Sequence, residues 1–231
     1  MSNLDGLSNF KCRARYNKQV HTYIRAIEKV ASRYAPSRLL SFSAVHVFVA
    51  LQLMQSRGHV SRSALEKELG LGGGAVKTLV KHMKMAGLIE TSNVGTKMTA
   101  RGAGICRGIT ASMSSEIDVP GSSVALGRHN YAVLLKEMGF AVRSGIEQRD
   151  AAIRVGGTGA TTLLYREGAF AMPDSNQDPL KKEGELRQDL MEKLRPQDGD
   201  VVIIGGADTA KAAELATKNA ALATVMAHEK H

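Results

Sequence analysis

The chain has no tryptophan and only two cysteines in 231 residues. Cys12 and Cys106 lie far apart and show no metal-ligand spacing, which leaves neither a zinc motif nor a disulfide framework. The opening MSNLDGLSNFKCRARYNK lacks the apolar stretch of a secretory signal. Two lone thiols behind such an opening point to the reducing cytoplasm. No uninterrupted apolar run approaches the ~20 residues of a membrane helix, so a membrane is not an expected partner.

Acidic side chains are scarce in one half only. Residues 1–107 hold 17 Lys/Arg against 5 Asp/Glu, whereas residues 108–231 hold 14 against 17. The whole net charge of +9 therefore originates in the first half. A split this uneven suggests an anionic partner for that half alone, or, more blandly, a charge that serves solubility. Nucleic acid leads, because every phosphate neutralised by Lys or Arg releases counterions.

What is present begins with helical periodicity. Val20, Tyr23, Ile24, Ile27, Val30, Ala31 and Tyr34 recur at three- and four-residue steps and predict an amphipathic helix over 16–34, closed by Pro36. Its stripe needs a partner surface, either the next domain or a second copy of the chain. Residues 43–55 (SAVHVFVALQLMQ) are apolar almost all round and predict a buried helix with a hydrogen-bonded His46 inside it. A third helix begins with Ser61 as N-cap and ends at Gly70.

Four glycines then fall within five positions, Gly70 and Gly72 to Gly74. They predict the turn of a helix-turn-helix, followed by a helix over 74–86 that buries Val76, Leu79, Val80 and Met83. Its other side offers Lys77, Thr78, Lys81, His82 and Lys84, and Gly74 at its start lets backbone approach a phosphate. A strand at 88–91, a turn at Asn93-Val94-Gly95, a returning strand at 96–99 and a helix from about 99 to 116 complete the segment. This order of elements resembles the winged-helix family of DNA-binding domains over residues 39–115. The resemblance implies a recognition helix in the major groove, with Asn93, Thr96, Lys97 and Arg101 near the sugar-phosphate backbone.

The second half mixes strands and helices. Strands are expected near 122–127 and 130–136, a helix near 146–155, and a hairpin at 161–172 turning at Glu167-Gly168. A helix near 183–194, a strand at 200–204 and a helix over 207–227 follow. Three stretches offer ligand contacts. GIEQRDAAIR (145–154) carries Glu147, Arg149 and Asp150 as ligand contacts, although Glu147, Asp150 and Arg154 share one helical face and suit intrahelical ion pairs first. GGTGATT (156–162) carries Thr158 and Thr161 in what reads as a helix end and loop. VVIIGGADTAK (201–211) runs a strand through Gly205 and Gly206 toward Asp208, an arrangement that either presents N–H groups to an anion or only allows tight packing. No catalytic pair, metal motif or cofactor motif emerges.

Taken together, His46-Val47, Gly145 to Ile153, Gly159 to Thr162, Met172-Pro173 and Gly199 to Gly205 are similar to an uncharacterised archaeal family. That family joins a winged helix to a C-terminal domain of unknown function, and the resemblance runs from Ala35 to about Ala227. It implies an archaeal, cytoplasmic, regulator-like protein and carries no activity with it. The sequence thus predicts a two-domain α+β chain: a basic helix at 1–38, a winged helix-turn-helix at 39–117 and a mixed α/β domain at 118–231. The function expected is a non-enzymatic, DNA-binding transcriptional regulator. Its partners are duplex DNA, a second copy in a homodimer and a small-molecule effector. An enzyme of small-molecule or nucleotide metabolism with a basic module, or a scaffold for RNA or protein, are the alternatives.

Overall fold

A computed structural model describes residues 19–32, 40–175 and 177–227. It is an α+β structure with two antiparallel sheets. The first helix, α1, covers 19–30. The apolar α2 (Ala44–Arg57) follows, and buries Phe48, Leu51 and Met54. His46 lies in its first turn, where its Nδ1 accepts a hydrogen bond from the Ser43 backbone N–H at 3.1 Å. Burial pushes the imidazole down to about 4, so the ring is a neutral acceptor.

Ser61 caps α3 (Arg62–Leu69), its hydroxyl accepting from Ala64 N–H at 3.1 Å. The glycine cluster is divided differently from the expectation. Gly70 ends α3 in the left-handed region (φ +64°), Gly72 caps α4 (Gly73–Met85), and Gly73 and Gly74 already belong to that helix. Val76, Leu79 and Met83 bury fully and hold the helix in place despite two glycines in its first turn.

Strands β1 (Ile89–Ser92) and β2 (Gly95–Met98) form a hairpin around Asn93-Val94. Outside β2, Val60 and Thr96 exchange two backbone hydrogen bonds of 2.8 and 2.9 Å, which fastens the hairpin to the α2–α3 turn. Thr99 caps α5 (Ala100–Thr110).

Two expectations fail next. The helix expected to continue to 116 stops at Thr110, and Met113–Val119 is strand β3. Ser112, Ser114 and Ser115 give a helix little to bury, whereas this stretch pairs along one edge with β4 (His129–Leu135), with a register shift at Ser114. The expected domain boundary at 117/118 therefore falls inside β3. The strand expected at 122–127 is a turn holding one isolated bridge, Ser122 to Ala125.

Beyond β4 come α6 (Ile146–Ile153), β5 (Gly159–Arg166), β6 (Ala169–Ala171) and α7 (Gly184–Asp189), which continues as a π-helical turn over Leu190–Leu194. Strand β7 (Val201–Ala207) and helix α8 (Ala210–Ala227) finish the described chain. Glu167 and Gly168 both adopt positive φ (51° and 77°), as a two-residue hairpin turn requires. The strand order is β3-β4-β7-β5-β6, antiparallel throughout, with β7 in the centre.

Alternation along the strands sorts two faces. Val133, Leu135, Leu164, Val201 and Ile203 belong with Ala216, Ala220 and Val225 of α8 to one apolar cluster, while Ala132, Leu134, Leu163, Val202 and Ile204 join Leu180, Leu186, Leu190 and Leu194 on the other side. The first cluster does not stop at the sheet. It continues through Phe48 and Leu51 of α2 to Val20, Ile24, Ile27 and Val30 of α1, so both halves share one core.

The α1 stripe is thus buried within the chain and is not the seam for a second copy that the sequence also allowed; Tyr34 lies outside the described residues. A polar contact marks the junction as well. Lys218 of α8, 1% exposed, donates to Gln52 Oε1 (2.8 Å), Glu116 Oε1 (3.1 Å) and Glu214 Oε1 (2.7 Å). The three protons of its ammonium are all used, which is the condition for burying it.

Candidate nucleic-acid interface

The buried arc of α4 leaves Gly74, Lys77, Lys81 and Lys84 exposed on the opposite side, with Thr78 half-buried beside them. Lys77, Lys81 and Lys84 follow at steps of four and three, so one strip of helix surface carries three positive charges. None of the three forms an ion pair among the described residues; Lys84 Nζ lies 3.5 Å from Thr91 Oγ1. Two of the acids nearby in sequence are engaged elsewhere, and a third, Glu66, lies beside Gly73 at the start of α4. Glu90 pairs with Lys97 across the hairpin (3.0 Å), and Glu68 binds Arg57 (2.7 Å) and Lys211. Hydrogen bonds from Lys211 and Arg57 hold the Glu68 carboxyl down at about 2.

The expected contact set needs two corrections. His82 is buried, not groove-facing: its Nδ1 lies 3.0 Å from the Val30 carbonyl oxygen, and its ring meets Phe42 edge-on at 5.8 Å. Helix α1 covers the flank of α4 that a wheel drawn for α4 alone leaves open. Thr96 is 3% exposed because Val60 pairs along that edge of the hairpin. The Thr78 hydroxyl bonds back to the Gly74 carbonyl at 3.0 Å. Asn93, at the hairpin tip, Lys97 and Arg101, in the first turn of α5, are exposed.

The residues expected to hold an effector separate in space. Arg149, Thr158, Thr161 and Gly206 line one cavity of about 280 Å³ at an end of the large sheet, together with Gly127 and Leu126. Glu147 and Asp208 are exposed and do not line it, and Asp150 pairs with its neighbour Arg149 at 3.1 Å. Gly205 and Gly206 form no anion-binding loop; they lie inside β7, paired with Tyr131 and Asn130 on one side and with Ala160 and Gly159 on the other. Their lack of side chains has a packing cause. A Cβ on Gly205 would stand 2.3 Å from Thr217 Oγ1, and one on Gly206 2.7 Å from Gly127 N.

Sequence reasoning missed the Lys218 cluster. Its partners lie 102 and 166 residues away, and only Glu214, one helical turn earlier, gave a local hint. Among the described residues no three His, Cys, Asp or Glu side chains come together to hold a metal ion, and no helix is long and apolar enough to cross a membrane.

Residues 126–225, from just before β4 into the last turns of α8, match the sequence model of a family described as a domain of unknown function (DUF4443). No curated protein matches the chain. Among solved structures, the hypothetical protein PH0730 from Pyrococcus horikoshii OT3 superposes with a TM-score of 0.61 at 24% identity, over 78% of this chain and 91% of that one. The likeness establishes a shared fold, and the two matches fit an uncharacterised archaeal family.

Proposed function

We propose that the segment from α2 to α5 is a winged helix-turn-helix that binds duplex DNA, and that the chain is a transcriptional regulator whose large-sheet domain responds to a small molecule. One observation carries the reading: Lys77, Lys81 and Lys84 stand on one exposed strip of α4 with no carboxylate paired to them among the described residues. The order of elements and the Val60–Thr96 pairing, which holds the hairpin beside the helices, support it. Lysine contributes phosphate affinity more than bidentate base reading, so the sequence-independent part of binding should be strong.

The test is a titration of labelled duplex across a salt series, with the protein beside its Lys77→Ala/Lys81→Ala variant. The wild type should bind with a steep loss of affinity as salt rises, and the variant should lose about 2 from the log–log slope. Binding that ignores salt, or that prefers single strands or structured RNA, would overturn the assignment.

A further inference from the structure

A second cavity, about 390 Å³, opens where α2 and α3 meet β3 and α8. Its volume is in the range that encloses a small metabolite. Its walls are charged, and the charges are sorted. At one end Arg57 and Lys211 share the single carboxylate of Glu68, which leaves a surplus of one positive charge. At the other end Glu116 and Glu214 share the single ammonium of Lys218, which leaves a surplus of one negative charge. Lys211 and Lys218 are seven residues apart on α8, about 10 Å of helix, with Glu214 between them.

Each end retains hydrogen-bonding capacity. Arg57 and Lys211 keep side chains about half exposed (49% and 51%), with N–H groups beyond those on Glu68. Lys218, by contrast, has no proton left to offer. At the acidic end the Glu116 and Glu214 side chains line the cavity and stay partly exposed, so their carboxylates can accept further hydrogen bonds. A simple anion would meet the surplus carboxylates, and a simple cation the guanidinium and Lys211. Only a molecule bearing both charges complements the whole cavity.

We propose that this junction cavity binds a small zwitterion of the amino-acid class, its carboxylate on Arg57 and Lys211 and its ammonium on Glu116 and Glu214. The assignment does not depend on DNA binding. The site touches α2 and α3 on one side and α8 on the other, so occupancy bears on how the two halves are seated.

Isothermal titration calorimetry on the full-length protein, without DNA, tests it. The probes are the twenty common L-amino acids and the length series glycine, 4-aminobutyrate and 6-aminohexanoate, with butyrate and butylamine as singly charged controls. At least one zwitterion should bind saturably in the millimolar range or tighter. Neither control should bind comparably, and Arg57→Gln and Glu116→Gln should each weaken binding at least about tenfold, the effect of one charge-assisted hydrogen bond. Lys211→Gln, at an exposed position, serves if Glu116→Gln fails to fold. No binding by any zwitterion, equal binding of either control, or undiminished binding by Arg57→Gln would overturn the proposal. Failure of the DNA titration would leave it standing.

Discussion

His82 Nδ1 lies 3.0 Å from the carbonyl oxygen of Val30, joining the last turn of α4 to the end of α1. The bond places this histidine in the scaffold behind the lysine strip. His82→Ala removes a buried ring and leaves the Val30 carbonyl without this contact, so it should lower stability by about 2–4 kcal/mol. Below its melting temperature the variant should keep the wild-type salt slope for DNA, which separates it from the lysine variants. Denaturant unfolding and the same titration read both quantities.

Tyr23 of α1 lies against Gly108 of α5 so closely that a Cβ on Gly108 would stand 2.2 Å from the ring. Gly108→Ala should cost about 1–3 kcal/mol through overpacking. Tyr23→Ala in the same chain should recover part of that loss. A double-mutant cycle with no coupling between the two positions would mean that α1 does not dock here.

Removing the buried ammonium should be severe. Lys218→Met leaves Glu116 and Glu214 facing each other without their shared cation, at about 3–5 kcal/mol. Adding Glu116→Gln and Glu214→Gln should restore most of it, because neutral groups need no counter-charge. The Tyr131 phenol, 5.7 Å from the Lys218 ammonium at its ring centre, is pushed up by burial and by Glu116 and Glu214, and stays neutral throughout. Chemical denaturation of the single and the triple variant in one buffer decides the point.

His46 makes stability depend on pH. Its folded value, about 4, is below the ordinary 6.5, so the unfolded chain binds the extra proton between those values. The contribution is complete above pH 6.5 and is lost as pH falls toward 4, by up to about 3 kcal/mol. His46→Gln should flatten the acid side of the stability curve. The wild-type-minus-variant difference in unfolding free energy, measured from pH 7.5 to 4.5, isolates this group from the other titrating side chains.

Much of the secondary structure was legible because it rests on local patterns. The periodicity of α1, the apolar run of α2, the Ser61 cap, the hairpin turn at Asn93 and the Glu167-Gly168 turn all sit where their residues put them. The failures share a cause, which is that distant chain decided the outcome. Met113 continues the three- and four-residue steps of Ile105 and Ile109, yet β4 claims it as a strand. Gly205 and Gly206 resemble a loop until Thr217 and Gly127 are seen pressing on them. His82 and Thr96 pass for surface residues until α1 and Val60 are in place. The Lys218 cluster combines α2, β3 and α8, and no window of sequence contains all three.

The continuous core has a consequence for how such chains exchange parts. A domain that ends in a bare linker can be cut out and grafted onto another protein. Here the β3 edge strand follows α5 directly, α1 rests on α4 through Val30 and on α8 through the His21 ring, 2.8 Å from the Val225 carbonyl, and Lys218 reaches Gln52. A chimera that takes α2 to α5 alone would carry away Phe48 and Leu51 without the α1 and α8 residues of the same core cluster. The workable unit of exchange includes α1 and α8, and selection on either half must act on both.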